Sequence, residues 1–203
     1  MPTFRLSGTK LLAVDIHGET FRALTGSMVA YEGNVQFKKQ GMGASGGIKG
    51  AFKRKLTGES ISLMEVTGQG TCYIANMANE INLVELRGEK MWVEASNLVA
   101  LDNGLRGATT GQGLFTTTVE GQGTAAIVSD GPAIILEVSH SMPLCVDPQA
   151  YVAHTGQLQQ DFITDVNWRM AVGQGSGEAF QLRFQGQGLV YIQPAERAAG
   201  IDV

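Results

Sequence analysis

The chain has 203 residues, with 27 glycines, only 5 prolines and a formal net charge of −4. Its length allows a sizeable core in one domain or two small ones. The acidic balance argues against nucleic acid as the main partner, no apolar run is long enough to span a bilayer, and two cysteines make no disulfide scaffold.

The amino terminus, MPTFRLSGTKLLAVD, has one short apolar cluster followed by Asp15 and His17. It matches neither a secretion signal nor an arginine-rich organelle presequence, so a cytoplasmic location is expected. Short runs then alternate with period two, as half-buried strands do. The alternation predicts strands over 10–16, 20–24, 28–31 and 35–37. After a glycine-rich basic stretch it resumes over 60–66, 81–86, 91–94, 98–101 and 114–119. No stretch sustains helical periodicity for long, and the chain reads as all-β.

One phrase occurs three times: VTGQGTCYIAN from Val66, VEGQGTAAIVS from Val119 and FQGQGLVYIQP from Phe184. Glycine inside a strand pattern marks a bulge, a bend or a close backbone approach. Around the glycines, Val66, Val119, Phe184, Cys72, Ile74, Ala125, Ile127, Val190 and Ile192 alternate and are expected in the core. The segment 66–100 lies over 119–153 without a gap. A Val-Ala pair recurs with the phrase, at Val29–Ala30, Val99–Ala100 and Val152–Ala153. The first pair has too little chain before it for a phrase of its own, and the last phrase has too little chain after it. The expectation is a single domain of three units, 1–65 with 184–203, 66–118 and 119–183. In that closed pseudo-threefold arrangement Phe184–Pro194 would sit beside the amino-terminal unit.

The units differ most in the segment after each Val-Ala strand. In the first unit that segment is the insert 38–55, KKQGMGASGGIKGAFKRK. It holds Lys38, Lys39, Lys49, Lys53, Arg54 and Lys55 and no acid, while the rest of the chain has nine cations against nineteen acids. Ile48, Phe52 and Leu56 recur every four residues, which puts them on one helical face ringed by cations. Lys49, Phe52, Lys53, Arg54 and Lys55 are therefore the candidate interaction surface, for an anionic membrane or an acidic protein partner. The competing reading, which is favoured, is a helix that plugs the β core with Phe52 buried and the lysines solvated.

Gly41, Gly43 and Gly46 spell GxGxxG, but a nucleotide fold would need parallel βαβ units that the pattern lacks. His17, His140 and His154 are scattered, and the repeat puts His140 and His154 on ordinary strand positions. Cys72 is expected as a buried structural thiol and Cys145, aligned with Trp92, as a packing residue. Asp161 and Asp165 read as solvated loop acids. No catalytic residue, cofactor or metal is expected.

The stretch 46–75, with LTGESISLMEVTGQGTCYIA and the later GQG phrases, resembles the altered-inheritance-of-mitochondria family of the twenty-four type. The resemblance covers nearly the whole chain, which is taken as a bacterial member. It implies three tandem units similar to the tryptophan RNA-binding attenuator protein subunit, a short double-stranded β-helix or β-sandwich. Mitochondrial members are associated with the inner membrane and its organising complex; the family supplies no catalytic residues. The functional expectation is a non-enzymatic structural or interaction protein that forms a homo-oligomer. The alternative is a peripheral membrane or acidic-ligand binding module that uses the insert 38–55.

Overall fold

The computed structural model describes residues 1–39, 62–109, 116–164 and 180–195. Among these residues the fold is all-β, every strand pairing is antiparallel, and one 3-10 turn at Ala95–Asn97 is the only helical element. The chain divides into two compact units, Met1–Ser129 and Asp130–Val203.

The first unit holds β1 (Thr3–Leu6), β2 (Leu12–Leu24), β3 (Met28–Lys39), β4 (Leu63–Ile74), β5 (Glu80–Glu94), β6 (Leu98–Asp102), β7 (Leu105–Thr109) and β8 (Thr116–Ser129). Its strands lie in the order β5-β8-β6-β2-β4-β3, with β1 added to β2 and β7 to β8. Leu12, Val14, Ile16, Phe21, Val66, Cys72, Ile74, Val99 and Val128 are among the side chains that build its core. The second unit holds β9 (Ile134–Val138), β10 (Leu144–Val146), β11 (Tyr151–Thr164) and β12 (Phe180–Ile192). There β12 takes β11 along one edge and β9 and β10 along the other.

The three GQG phrases lie on β4, β8 and β12, and an earlier strand, β2, β5 or β10, meets each one in the same register. Phe21 faces Val66, Met91 faces Val119 and Leu144 faces Phe184. The partner strand is irregular opposite the first glycine of the phrase. On β2 the register shifts between His17 and Thr20, so Gly18 and Glu19 together oppose Gly68. On β5 it shifts between Arg87 and Lys90, so Gly88 and Glu89 oppose Gly121. Two residues against one is a β-bulge, which bends the strand. A carboxylate secures each bend: Glu19 accepts from the His17 amide at 2.6 Å and Glu89 from the Arg87 amide at 2.8 Å. The backbone amides of His17 and of Glu19 itself, with the amino-terminal ammonium, hold the Glu19 carboxyl down to about 2. In the second unit the irregularity is a full break between β9 and β10, bridged by Ser139 and Met142.

These bulges explain why the predicted runs 10–16 and 20–24 form one strand, β2, and why 81–86 and 91–94 form one strand, β5. The polar gap between the runs is a bulge inside a continuing ladder. The runs 28–31 and 35–37 likewise join as β3.

The Val-Ala pairs also share one register. Met28 faces Ile74 and Ala30 faces Tyr73; Leu98 faces Ile127 and Ala100 faces Ala126; Tyr151 faces Ile192 and Ala153 faces Tyr191. Each valine between them is the extra residue of a bulge. Each Val-Ala pair thus belongs to the GQG strand that comes after it. This corrects the expectation that Phe184–Pro194 serves the amino-terminal unit: β12 pairs with β9, β10 and β11. The Gly-Gln-Gly is identical in all three places, so partner choice was not encoded in it.

Val66, Val119, Phe184, Cys72, Ile74, Ala125, Ile127 and Val190 are buried as predicted. Ile192 is only half-buried, because β12 ends there beside an exposed Ile134.

Candidate functional site

The expected site residues Lys49, Phe52, Lys53, Arg54 and Lys55 lie outside the described residues, as do Gly41, Gly43, Gly46 and Asp165. Lys38 and Lys39 close β3 and are exposed. Asp161 is not a loop acid; it stands on β11 and accepts from the side-chain Nε2 of Gln159 at 3.2 Å. His140 is exposed in the turn after β9, not on a strand. Cys145 is exposed on β10, not packed. Cys72 is buried and unpaired in a disulfide, and desolvation pushes its thiol up to about 11.

The polar groups that the fold brings together mostly secure strands. On β2, Asp15 receives Arg5 Nε at 2.9 Å and Nη2 at 3.3 Å, and the Thr71 hydroxyl at 2.6 Å. Those hydrogen bonds, Arg5 first, hold its carboxyl below the ordinary value. Asp102, buried at the end of β6, accepts from the Gly104 amide at 3.2 Å and turns the chain into β7. Arg22 of β2 sits half-buried between Glu65 of β4 and Leu101 of β6 in register and donates to the carbonyls of Asp102 and Leu105. Sequence spacing gave no sign of these groupings, because the partners are far apart in the chain.

A different feature stands out when the copies are compared. Val29 is 58% exposed and Tyr31 49%, while Val99, Val152 and Leu101 are 0% exposed and His154 2%. The three valines are identical and their registers match, so the surroundings of each strand set their difference in exposure. The outer edge of β6 is covered by β2, with Ala100 facing Ala23, Leu101 facing Arg22 and Asp102 facing Phe21. Among the described residues β3 pairs only with β4. The outer edge of its twelve residues is therefore open among the described residues. Tyr31 packs edge-on against Phe37 at 5.4 Å, and Tyr73 donates to Glu32 at 3.1 Å. Val29 and Tyr31 thus stand exposed near the start of this edge, and the charges of Glu32, Lys38 and Lys39 follow further along it.

A family-level comparison matches residues 4–195 to the mitochondrial biogenesis AIM24 family. The chain belongs to the AIM24 family. The fold agrees: the X-ray crystal structure of a protein from Streptococcus pyogenes is similar, with a TM-score of 0.77 and 24% identity, over 97% of this chain and 94% of that one. A search of curated proteins finds no match. No helix among the described residues of this AIM24 chain is long and apolar enough to cross a membrane.

Proposed function

We propose that this AIM24 protein is a non-enzymatic interaction protein that works through the open edge of β3. The observation that carries the reading is the exposure of Val29 and Tyr31 where the same register elsewhere is buried. Its conspicuous polar groups support the same view. Asp15, Asp102, Glu19 and Glu89 hold strands and bends, so their hydrogen-bonding capacity is used by the fold. An unpaired strand edge binds by adding a strand, with backbone hydrogen bonds for affinity and side-chain pockets for selectivity.

Amide hydrogen exchange on the full chain tests the reading. The β3 amides should exchange slowly in freshly prepared extract and fast in the purified, highly diluted protein. Fast exchange under both conditions would overturn it. A turnover screen is the second arm: robust activity abolished by Asp15→Asn or His154→Leu would replace it with an enzymatic reading.

A second reading is a peripheral membrane or acidic-ligand module. It is favoured by exposed Lys38 and Lys39, which lead from β3 into the basic stretch with Lys49, Lys53, Arg54 and Lys55. Co-sedimentation with phosphatidylserine vesicles, falling steeply with salt, would support it.

A further inference from the structure

We propose that the outer edge of β3 in one copy of this chain pairs with the outer edge of β10 in a second copy, with Tyr31 facing the partner's Cys145. The proposal rests on the interaction reading above and names its partner.

The chain already builds this interface once. Within the first unit, β6 receives the end of β2 on its outer edge: Ala100 against Ala23, Leu101 against Arg22, Asp102 against Phe21. On β3 the residues at the register of 100, 101 and 102 are Ala30, Tyr31 and Glu32. The counterpart of the β2 end in the second unit is β10. Phe21 and Ala23 face Val66 and Met64 on the first GQG strand, just as Leu144 and Val146 face Phe184 and Leu182 on the third. The β2–β6 pairing transferred to these strands sets Ala30 against Val146, Tyr31 against Cys145 and Glu32 against Leu144.

Both surfaces show the missing contact. Val29 and Tyr31 are exposed where their counterparts are buried. On the other surface, Leu144 is half-buried where its counterparts Phe21 and Met91 are fully buried, and Cys145 is exposed where Arg22 and Trp92 are half-buried. Beside the β10 edge a pocket of about 180 Å³ is lined by Cys145, Val146, Asp147, Phe180 and Gln181, next to the place where the Tyr31 ring arrives. The two edges are different surfaces of one chain, so the contact is head-to-tail and each copy keeps one of each free until a ring closes. Paired edges also remove the aggregation hazard of a long open strand.

Disulfide trapping reads the register directly. Directly opposed residues of an antiparallel pair have Cα atoms about 4.5–5.5 Å apart, within the range of about 4.4–6.8 Å that a disulfide spans. A full-length Tyr31→Cys/Cys145→Ser chain is mixed with differently tagged wild type, which keeps Cys145, and treated with a mild oxidant. Cys72 is buried and does not compete. Most of the variant should be captured as a mixed-tag dimer, and Gln36→Cys in place of Tyr31→Cys should lose the product. Failure to exceed the Gln36→Cys control overturns the proposal. So does closure within one chain, seen as a monomeric disulfide when Tyr31→Cys is made with Cys145 intact. Sedimentation gives an independent check: wild type should be larger than a monomer and Val29→Lys should shift to the monomer, whereas a monomeric wild type at every concentration sinks the idea. Protected β3 amides in extract without the mixed dimer would leave the interaction reading standing and remove only the second copy as partner.

Discussion

The Tyr151 hydroxyl lies 2.8 Å from Nδ1 of His154, and both side chains are buried. Phe184 completes the cluster, stacked on Tyr151 at 5.7 Å and edge-on to His154 at 5.1 Å. Desolvation lowers the imidazole from 6.5 to about 4. The unfolded chain takes up this proton near 6.5, while the folded chain refuses it until about 4. Between those values the unfolded state binds more protons, so stability falls as pH falls through the window and this group adds nothing further below it. The loss across the window is about 3 kcal/mol. Urea unfolding across that pH range should show the slope in wild type and lose it in His154→Leu, which copies Leu101 at the same register. Equal slopes would mean that His154 is not the group taking up the proton.

Ile127 and Ile192 occupy the same place after their GQG phrases but differ in burial. Ile127→Ala should cost about 2–5 kcal/mol, because the emptied volume lies inside packed strands. Ile192→Ala should cost clearly less, since water reaches that side chain already. Denaturant midpoints decide the order, and equal losses would place Ile192 inside the core.

The all-β class and most of the core were legible because period-two alternation is a local signal. The bulges were not. His17-Gly18-Glu19-Thr20 reads as a turn between two strands, yet the ladder runs through it, because two residues can oppose Gly68. Strand partners were illegible for another reason. Three nearly identical phrases offer Val29–Ala30 three equivalent partners, and only the folded chain shows that it takes β4. Charge and helical spacing single out Lys49, Phe52, Lys53, Arg54 and Lys55, and neither signal speaks of a strand edge. Tyr31 and Leu101 look alike in sequence; what separates them is whether a strand such as β2 arrives on the far side.

Asp15 joins residues 10 and 56 positions away, Arg5 and Thr71. Its folded carboxyl sits below the ordinary value, so its contribution is held above about 3.8 and lost as pH falls through the lower folded value. Arg5→Ala should raise the Asp15 midpoint in a carboxyl NMR titration, and Thr71→Val should raise it by a smaller amount. An unchanged midpoint in Arg5→Ala would show that the pair is not held in solution.

Gly18 and Gly68 face each other across one bulge and should respond differently to alanine. At Gly18, φ is +100° and no heavy atom lies within 4 Å of where a Cβ would stand. Gly18→Ala therefore meets backbone strain alone, about 1–3 kcal/mol. At Gly68, φ is +121° and the added carbon would collide with the Asn34 carbonyl oxygen and lie 3.2 Å from the Val35 Cα. These are backbone atoms of β3, and they cannot rotate aside. Gly68→Ala must push β3 away from β4, losing ladder hydrogen bonds in addition to the strain. Thermal melts should put Gly68→Ala well below Gly18→Ala, with faster exchange of the β3 amides in Gly68→Ala only. A Gly68→Ala protein as stable as Gly18→Ala would show that β3 and β4 stand further apart at this point than their register requires.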